Sequence, residues 1–148
     1  VLLAERGLRP ALEPLPSYAQ AATLDNVLLI GNPGIDFLRA PHTHTIWDLG
    51  AAWRELTDLP FVYAGWALRR GHHNTALRDH LRAAKARGLE QLPEIIATQP
   101  DYDAAFRQAY LGGHIQYELG ETEKAGLNKF VELLKTHGEQ EVHEPSFV

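Results

Sequence analysis

The stretch that most restricts the fold is residues 44–70, HTIWDLGAAWRELTDLPFVYAGWALRR, which reads without interruption as strand, short helix and longer apolar strand. Thr45, Ile46 and Trp47 are β-branched or aromatic and lead into Asp48-Leu49-Gly50, a polar turn of the kind that opens a helix. Ala52, Trp53 and Leu56 then recur on one helical face, while Arg54 and Glu55 fall elsewhere. Thr57-Asp58 ends that helix and Pro60 forbids its continuation. Residues 61–68, FVYAGWAL, are apolar in succession, the pattern of a strand covered on both faces. Strand, helix and parallel strand form a right-handed crossover unit, and an open sheet of such units takes ligands beyond the carboxyl ends of its strands. An α/β fold is therefore expected, with Asp48 at one such end.

Upstream, the stretch from Leu8 carries Pro10, Pro14 and Pro16 and suits an edge strand or extended connection. Ser17 can cap a short helix with Tyr18, Ala21 and Ala22 turned inward. Val27-Leu28-Leu29-Ile30 reads as a buried strand that ends in the turn Gly31-Asn32-Pro33-Gly34. That turn has little side chain to hold a ligand away from its backbone. With Asp48 it makes two strand ends that one sheet would bring to a common crevice; by itself it is also an ordinary tight turn.

After Arg70 the pattern changes to successive helices. Asn74 or Thr75 caps a helix with Leu77, Leu81 and Ala84 on one face, loosened at Gly88, and Pro93 marks a restart or a kink. Asp101 is expected to open a further short helix that Gly112-Gly113 ends. A last helix over residues 121–136 has Leu127, Phe130, Val131 and Leu134 as its apolar face, closed by Gly138.

The chain begins Val1-Leu2-Leu3-Ala4-Glu5-Arg6-Gly7, which resembles the back half of an amphipathic helix with its C-terminal glycine, and its 148 residues include no methionine. The expectation is a C-terminal portion of a longer chain. A net charge of −5 lacks the basic face of a general nucleic-acid binder, and no apolar run approaches the ~20 residues of a membrane span. The absence of cysteine excludes disulfides and thiolate chemistry within these residues.

Eight histidines raise the question of a metal, with His42 and His44 on one side of an extended segment and His73 and His80 on a helix. Without cysteine or an HExxH spacing, scattered surface histidines are the simpler reading and no metal site is expected. Asp48 is either a helix cap or an acid facing a crevice, and the two roles are compatible. Gly65 within an apolar run implies close approach of another backbone or a flat ligand. Tyr63 and Trp66 fall on opposite faces of the pleat, so at most one faces any single pocket. Phosphate-loop, nucleophile-elbow and dinucleotide fingerprints are all missing from the sequence.

VLLIGN, followed by IWDLGAAWRELTDLPFVYAGWALR, resembles the menaquinone-biosynthesis family of the futalosine route, whose chorismate dehydratases carry a run like LLIGD…DLGxxWxxxTGLPFVFAVW. HIQYELGETEKAGLNKFVELL, residues 114–134, resembles that family's C-terminal pattern Y.LG..E..GL..F. The resemblance implies a two-lobed, type II periplasmic-binding-protein-like α/β fold. Residues 1–62 would then belong to the second lobe, and residues 63–148 would form a crossover strand and helices returning to the first. It also implies a cytoplasmic lyase that removes water from chorismate to give 3-[(1-carboxyvinyl)oxy]benzoate. Its partner is a small dicarboxylate substrate, with no nucleic acid or membrane; a homodimer is compatible with it. No metal or cofactor is implied, because aromatisation drives the elimination and the protein has to bind two carboxylates and move protons.

On that basis Gly31, Asn32, Asp48, Tyr63 and Trp66 are the candidate substrate-binding residues, with the catalytic residues expected largely upstream of Val1. Two departures from the pattern bear on chemistry. Asn32 replaces the usual aspartate and supports a hydrogen-bonding role, not that of a base. Asp58 replaces the glycine of TGLPF. Gly31 stands where the sister 1,4-dihydroxy-6-naphthoate synthases carry a histidine, which favours the dehydratase branch over that lyase. A passive solute-binding or sensor module is the further alternative that such an architecture allows.

Overall fold

The structure, a computed structural model, describes residues 1–69, 71, 74–138 and 141–148. Arg70, the last residue of the stretch 44–70, and His73 of the His73/His80 pair lie outside the described residues. The chain divides into two units, Val1–Phe61 with Ala125–Val148, and Val62–Lys124.

The first unit opens with α1 (Leu2–Glu5). Its end is a Schellman motif: the Gly7 N–H donates to the Ala4 carbonyl at 2.9 Å and the Leu8 N–H to the Leu3 carbonyl at 2.9 Å. Gly7 takes φ +71°, which a glycine adopts without steric cost. A 3₁₀ turn over Tyr18–Thr23 follows, capped by Ser17, whose hydroxyl accepts from the Ala19 N–H at 3.3 Å. Ala21 is buried there, but Tyr18 and Ala22 are exposed. Next come α2 (Asn32–Arg39) and α3 (Leu49–Thr57), and α7 (Glu121–Thr136) contributes its residues from Ala125 onward. At the far end of α7, the His137 Nε2–H donates to Glu5 Oε1 at 2.5 Å and Arg9 donates to His137 Nδ1 at 3.3 Å, which ties the two ends of this unit together.

The core of the first unit is a ring cluster. Trp53, 1% exposed, meets Phe61 and Phe130 edge to face with centroids 5.4 and 5.9 Å away, and those two rings meet each other at 5.3 Å. The Trp53 indole N–H donates to the Pro60 carbonyl at 3.2 Å, so the polar atom of a buried side chain is satisfied where the chain turns. That turn is fixed by Thr57, whose hydroxyl donates to the Trp53 carbonyl and accepts from the Leu59 N–H, and by Asp58 in the left-handed region at φ 56°. Helix α7 reaches the same turn through Gly126: a Cβ there would overlap the Pro60 carbonyl oxygen. Val131 and Leu133 complete the buried side of α7; Leu133 lies outside the face expected from spacing.

In the second unit α4 (Thr75–Glu90) starts at Asn74, whose Oδ1 accepts from the Leu77 N–H at 3.0 Å, and it runs straight through Gly88. Pro93 sits in the first turn of α5 (Leu92–Thr98), where its missing N–H costs nothing. Asp103, not Asp101, caps α6 (Ala104–Ala109), accepting from the Phe106 N–H at 2.8 Å. A π turn over Tyr110–His114 follows α6. Arg107 holds this part together by donating to the carbonyls of Ile96 at 2.7 Å and Tyr102 at 2.6 Å.

The expected α/β, two-lobed periplasmic-binding-protein-like fold is not found: the described residues contain helices and turns but no β-strand. Residues 27–30, 45–47 and 61–68 have the β-branched and aromatic content that favours strands, yet they carry no regular secondary structure and none is paired in a ladder. Residues 63–67, expected to be covered on both faces, are exposed. Apolar succession reports a preference for extended, buried backbone. A sheet additionally needs a second extended segment about 4.8 Å away, and none of the described segments supplies one.

Gly126→Ala tests the core. Alanine is the better helix former by about 1 kcal/mol, so propensity alone predicts a gain. The overlap with the Pro60 carbonyl costs about 1–3 kcal/mol, so the net outcome expected is a loss of up to about 2 kcal/mol, measurable by denaturant unfolding.

Candidate functional site

Gly31 and Asn32 form the entrance to α2. Gly31 has φ +67°, and its carbonyl accepts from the N–H groups of Gly34 and Ile35 at 3.0 and 3.1 Å. Pro33 in the first turn has no N–H to offer. Of the donors that a helix start normally presents to an anion, the Asn32 N–H is left without a backbone partner among the described residues, and the Asn32 carboxamide stands beside it. Both residues are exposed.

Asp48 caps α3. Its Oδ1 accepts from the Ala51 N–H at 2.9 Å, and its carbonyl accepts from the Ala52 N–H at 3.0 Å. The cap reading of Asp48 is thus seen directly. Tyr63 and Trp66 belong to the second unit and are 64% and 65% exposed. Among the described residues the sheet expected to carry Gly31-Asn32 and Asp48 to one rim is absent, and none of the five candidates lines either of two open surface hollows.

One hollow, of about 340 Å³, lies in the first unit among Glu5, Arg6, Trp47 and Glu55 over an apolar floor of Leu2, Ala52 and Leu56. The Arg6 guanidinium lies 4.2 Å from the centroid of the Trp47 ring, a cation–π contact between residues far apart in sequence. Spacing could not reveal it; the only advance signal was an indole next to the cap of α3. The other hollow, of about 290 Å³, lies in the second unit among Leu68, Arg69, Asn74 and Leu77.

His42 and His44 pack on Phe37, with ring centroids at 5.0 and 5.4 Å. His44 donates through Nε2 to the Leu24 carbonyl at 2.6 Å, and the Nδ1 atoms of both rings are enclosed with no hydrogen-bond partner among the described residues. Among the described residues no group of three or more histidines and carboxylates is placed to hold a metal ion, and no helix is long and apolar enough to cross a membrane. In the second unit the Tyr117 phenol donates to the Leu111 carbonyl at 3.0 Å. Its pKa is raised first by burial and then by the neighbouring Tyr110.

Comparison with known proteins defines the class. A family model described as menaquinone biosynthesis matches residues 1–136, and the chain belongs to that family. More particularly, the chain is 32% identical over 154 aligned positions to a protein of Thermus thermophilus named chorismate dehydratase. The alignment takes in 90% of this chain and 56% of the relative, so the chain spans little more than half of that protein's length. No solved structure matches the chain.

Asp48→Ala is expected to lower stability by about 1 kcal/mol through loss of the cap, whereas Asp48→Asn, an equally good cap, keeps stability within a few tenths. Thermal unfolding of the two variants separates capping from bulk effects. If the carboxylate also reacts, the asparagine variant loses turnover at unchanged stability.

Proposed function

We propose that the protein acts as a chorismate dehydratase in menaquinone biosynthesis, a carbon–oxygen lyase that eliminates water from chorismate to form 3-[(1-carboxyvinyl)oxy]benzoate. The observation that carries this reading is the 32% identity to the Thermus thermophilus protein of that name across 90% of the chain, within the family to which the chain belongs.

The chemistry sets modest demands. The substrate carries two carboxylates, a ring C–H bond and a departing hydroxyl, and the product ring is aromatic, so the elimination is downhill once geometry and proton transfers are arranged. A binding site for this dicarboxylate needs N–H donors, and net protein charge does not decide whether it has them. Asn32 is the best-supported of the candidates for that role, because its backbone N–H is free of backbone partners among the described residues and its carboxamide can donate as well. A carboxylate is absent from that position, so the base that takes the ring proton lies elsewhere. Asp48 commits one carboxylate oxygen to the Ala51 N–H, which assigns it first to the architecture of α3.

The protein as its gene encodes it, incubated with chorismate, is expected to yield one aromatic product with the mass of chorismate less water, resolved by chromatography. Saturable binding of chorismate with no product overturns the lyase assignment in favour of a solute-binding module. Asn32→Ala should raise KM about tenfold or more by removing a hydrogen bond to a charged group. An unchanged KM removes Asn32 from the site.

A further inference from the structure

Neither His42 nor His44 has a part in the proposed reaction, yet both rings pack on the helix that begins at Asn32. Phe37, in the second turn of α2, has the His42 ring stacked on it at 5.0 Å and the His44 ring edge to face at 5.4 Å. α2 also packs against the 3₁₀ turn Tyr18–Thr23, and the carbonyl of Leu24, the residue that ends this turn, accepts from the His44 Nε2–H at 2.6 Å. One imidazole thus ties the helix, and the turn that supports it, to the segment leading into α3. Asn32 and Phe37 belong to the same short helix, so what fixes Phe37 also fixes the Asn32 donors.

The hydrogen bond decides the form in which the ring works. With Nε2–H donated to a carbonyl, Nδ1 of the neutral ring carries the lone pair, and that atom is enclosed with no hydrogen-bond partner among the described residues. A proton taken up there would make a charged N–H without an acceptor, a cost that is relieved when the ring leaves its seat. The charged and titratable groups on the surrounding elements are Asp36 and Arg39 on α2, Asp25 after the 3₁₀ turn, and His42 and Asp48 on the ring's own segment. Among the described residues no carboxylate lies within ion-pair distance of His44. His42 differs in its geometry. Its Nδ1 is enclosed as well, but it lies face to face on Phe37, where a positive charge is attracted by the ring.

We propose that His44, as the neutral Nε2–H ring, is a positioning residue that holds α2 and its Asn32 donors in the substrate-binding orientation, and that protonation at Nδ1 releases them. The proposal rests on the assignment of Asn32 to a substrate carboxylate made above. The hold is complete at alkaline pH and is lost as the pH falls through the range in which an imidazole takes up its proton.

NMR of the ¹⁵N-labelled protein, as its gene encodes it, tests the hold without reference to the reaction. At about pH 8 the His44 Nδ1 should resonate as an unprotonated nitrogen and Nε2 as a protonated one. The opposite tautomer overturns the proposal in the wild-type protein itself, whatever the variants do. Between about pH 8 and pH 5.5 the backbone amide resonance of Asn32 should move together with the His44 ring in the wild type. It should stay in place in His44→Gln, whose carboxamide keeps a donor for the Leu24 carbonyl and does not titrate. A stationary Asn32 amide in the wild type, or the same movement in His44→Gln, overturns the proposal. With chorismate as substrate, KM is expected to rise about fivefold over that pH interval while kcat changes by less than about twofold, and His44→Gln should bring the KM ratio to about one. Turnover with a KM that does not change with pH leaves the lyase assignment standing and overturns this proposal. No turnover at either pH, with the Asn32 movement seen, removes the lyase assignment and leaves the hold of His44 on α2 supported.

Discussion

The close approach of α7 to the Leu59-Pro60 turn is the constraint on which the first unit depends. The Pro60 carbonyl faces two ways: it accepts the buried indole N–H of Trp53 and it lies where a side chain on residue 126 would otherwise be. Glycine at 126 costs helix stability locally, and in exchange Trp53, Phe61 and Phe130 close into one edge-to-face cluster. Asp58 shows the same logic at the turn itself. Its left-handed backbone is uncommon for a residue with a side chain, and the glycine of the family's TGLPF pattern would take it without strain.

That family pattern can now be given a physical content. In this chain Asp48 caps α3, Trp53 fills the core, Thr57 bonds both the helix it ends and the turn that follows, Pro60 supplies the carbonyl, and Phe61 supplies the second ring. The residues by which the chain resembles its family are therefore mostly those that build α3 and its exit. They build the architecture of a segment. The functional reading rests on similarity to a named relative, and Asn32, the last residue of VLLIGN, enters it through that run and through its donors.

Local signals were legible in the sequence and distant ones were not. Ser17, Asp48 and Asn74 cap the elements that their positions announced, and Gly7 and Gly138 close helices in the left-handed region, because a cap is decided within four residues. Asp103 displaced Asp101 as the cap of α6 by two residues, within the ordinary spread of helix ends. The strands failed for a different reason: residues 27–30 and 61–68 have the composition of strands, but pairing is a property of two segments. Gly126 carried a readable warning, a glycine in the middle of a helix, whose explanation lay in a turn far away in the chain. Of the candidate site, the cap role of Asp48 and the exposure of Gly31-Asn32 followed from local pattern. The hollow at Arg6 and Trp47 arises from tertiary contact and could not be read in advance.

The most direct measurement of the central claim is hydrogen exchange at the tryptophan indoles, followed by NMR. Trp53 is buried and donates to the Pro60 carbonyl, while Trp66 is exposed. The Trp53 indole proton should exchange only through unfolding of the cluster, with protection that tracks global stability, and the Trp66 indole should exchange at the rate of a free side chain. Comparable fast exchange at both would mean that the ring cluster is not closed and that the turn at Pro60 does not organise the unit.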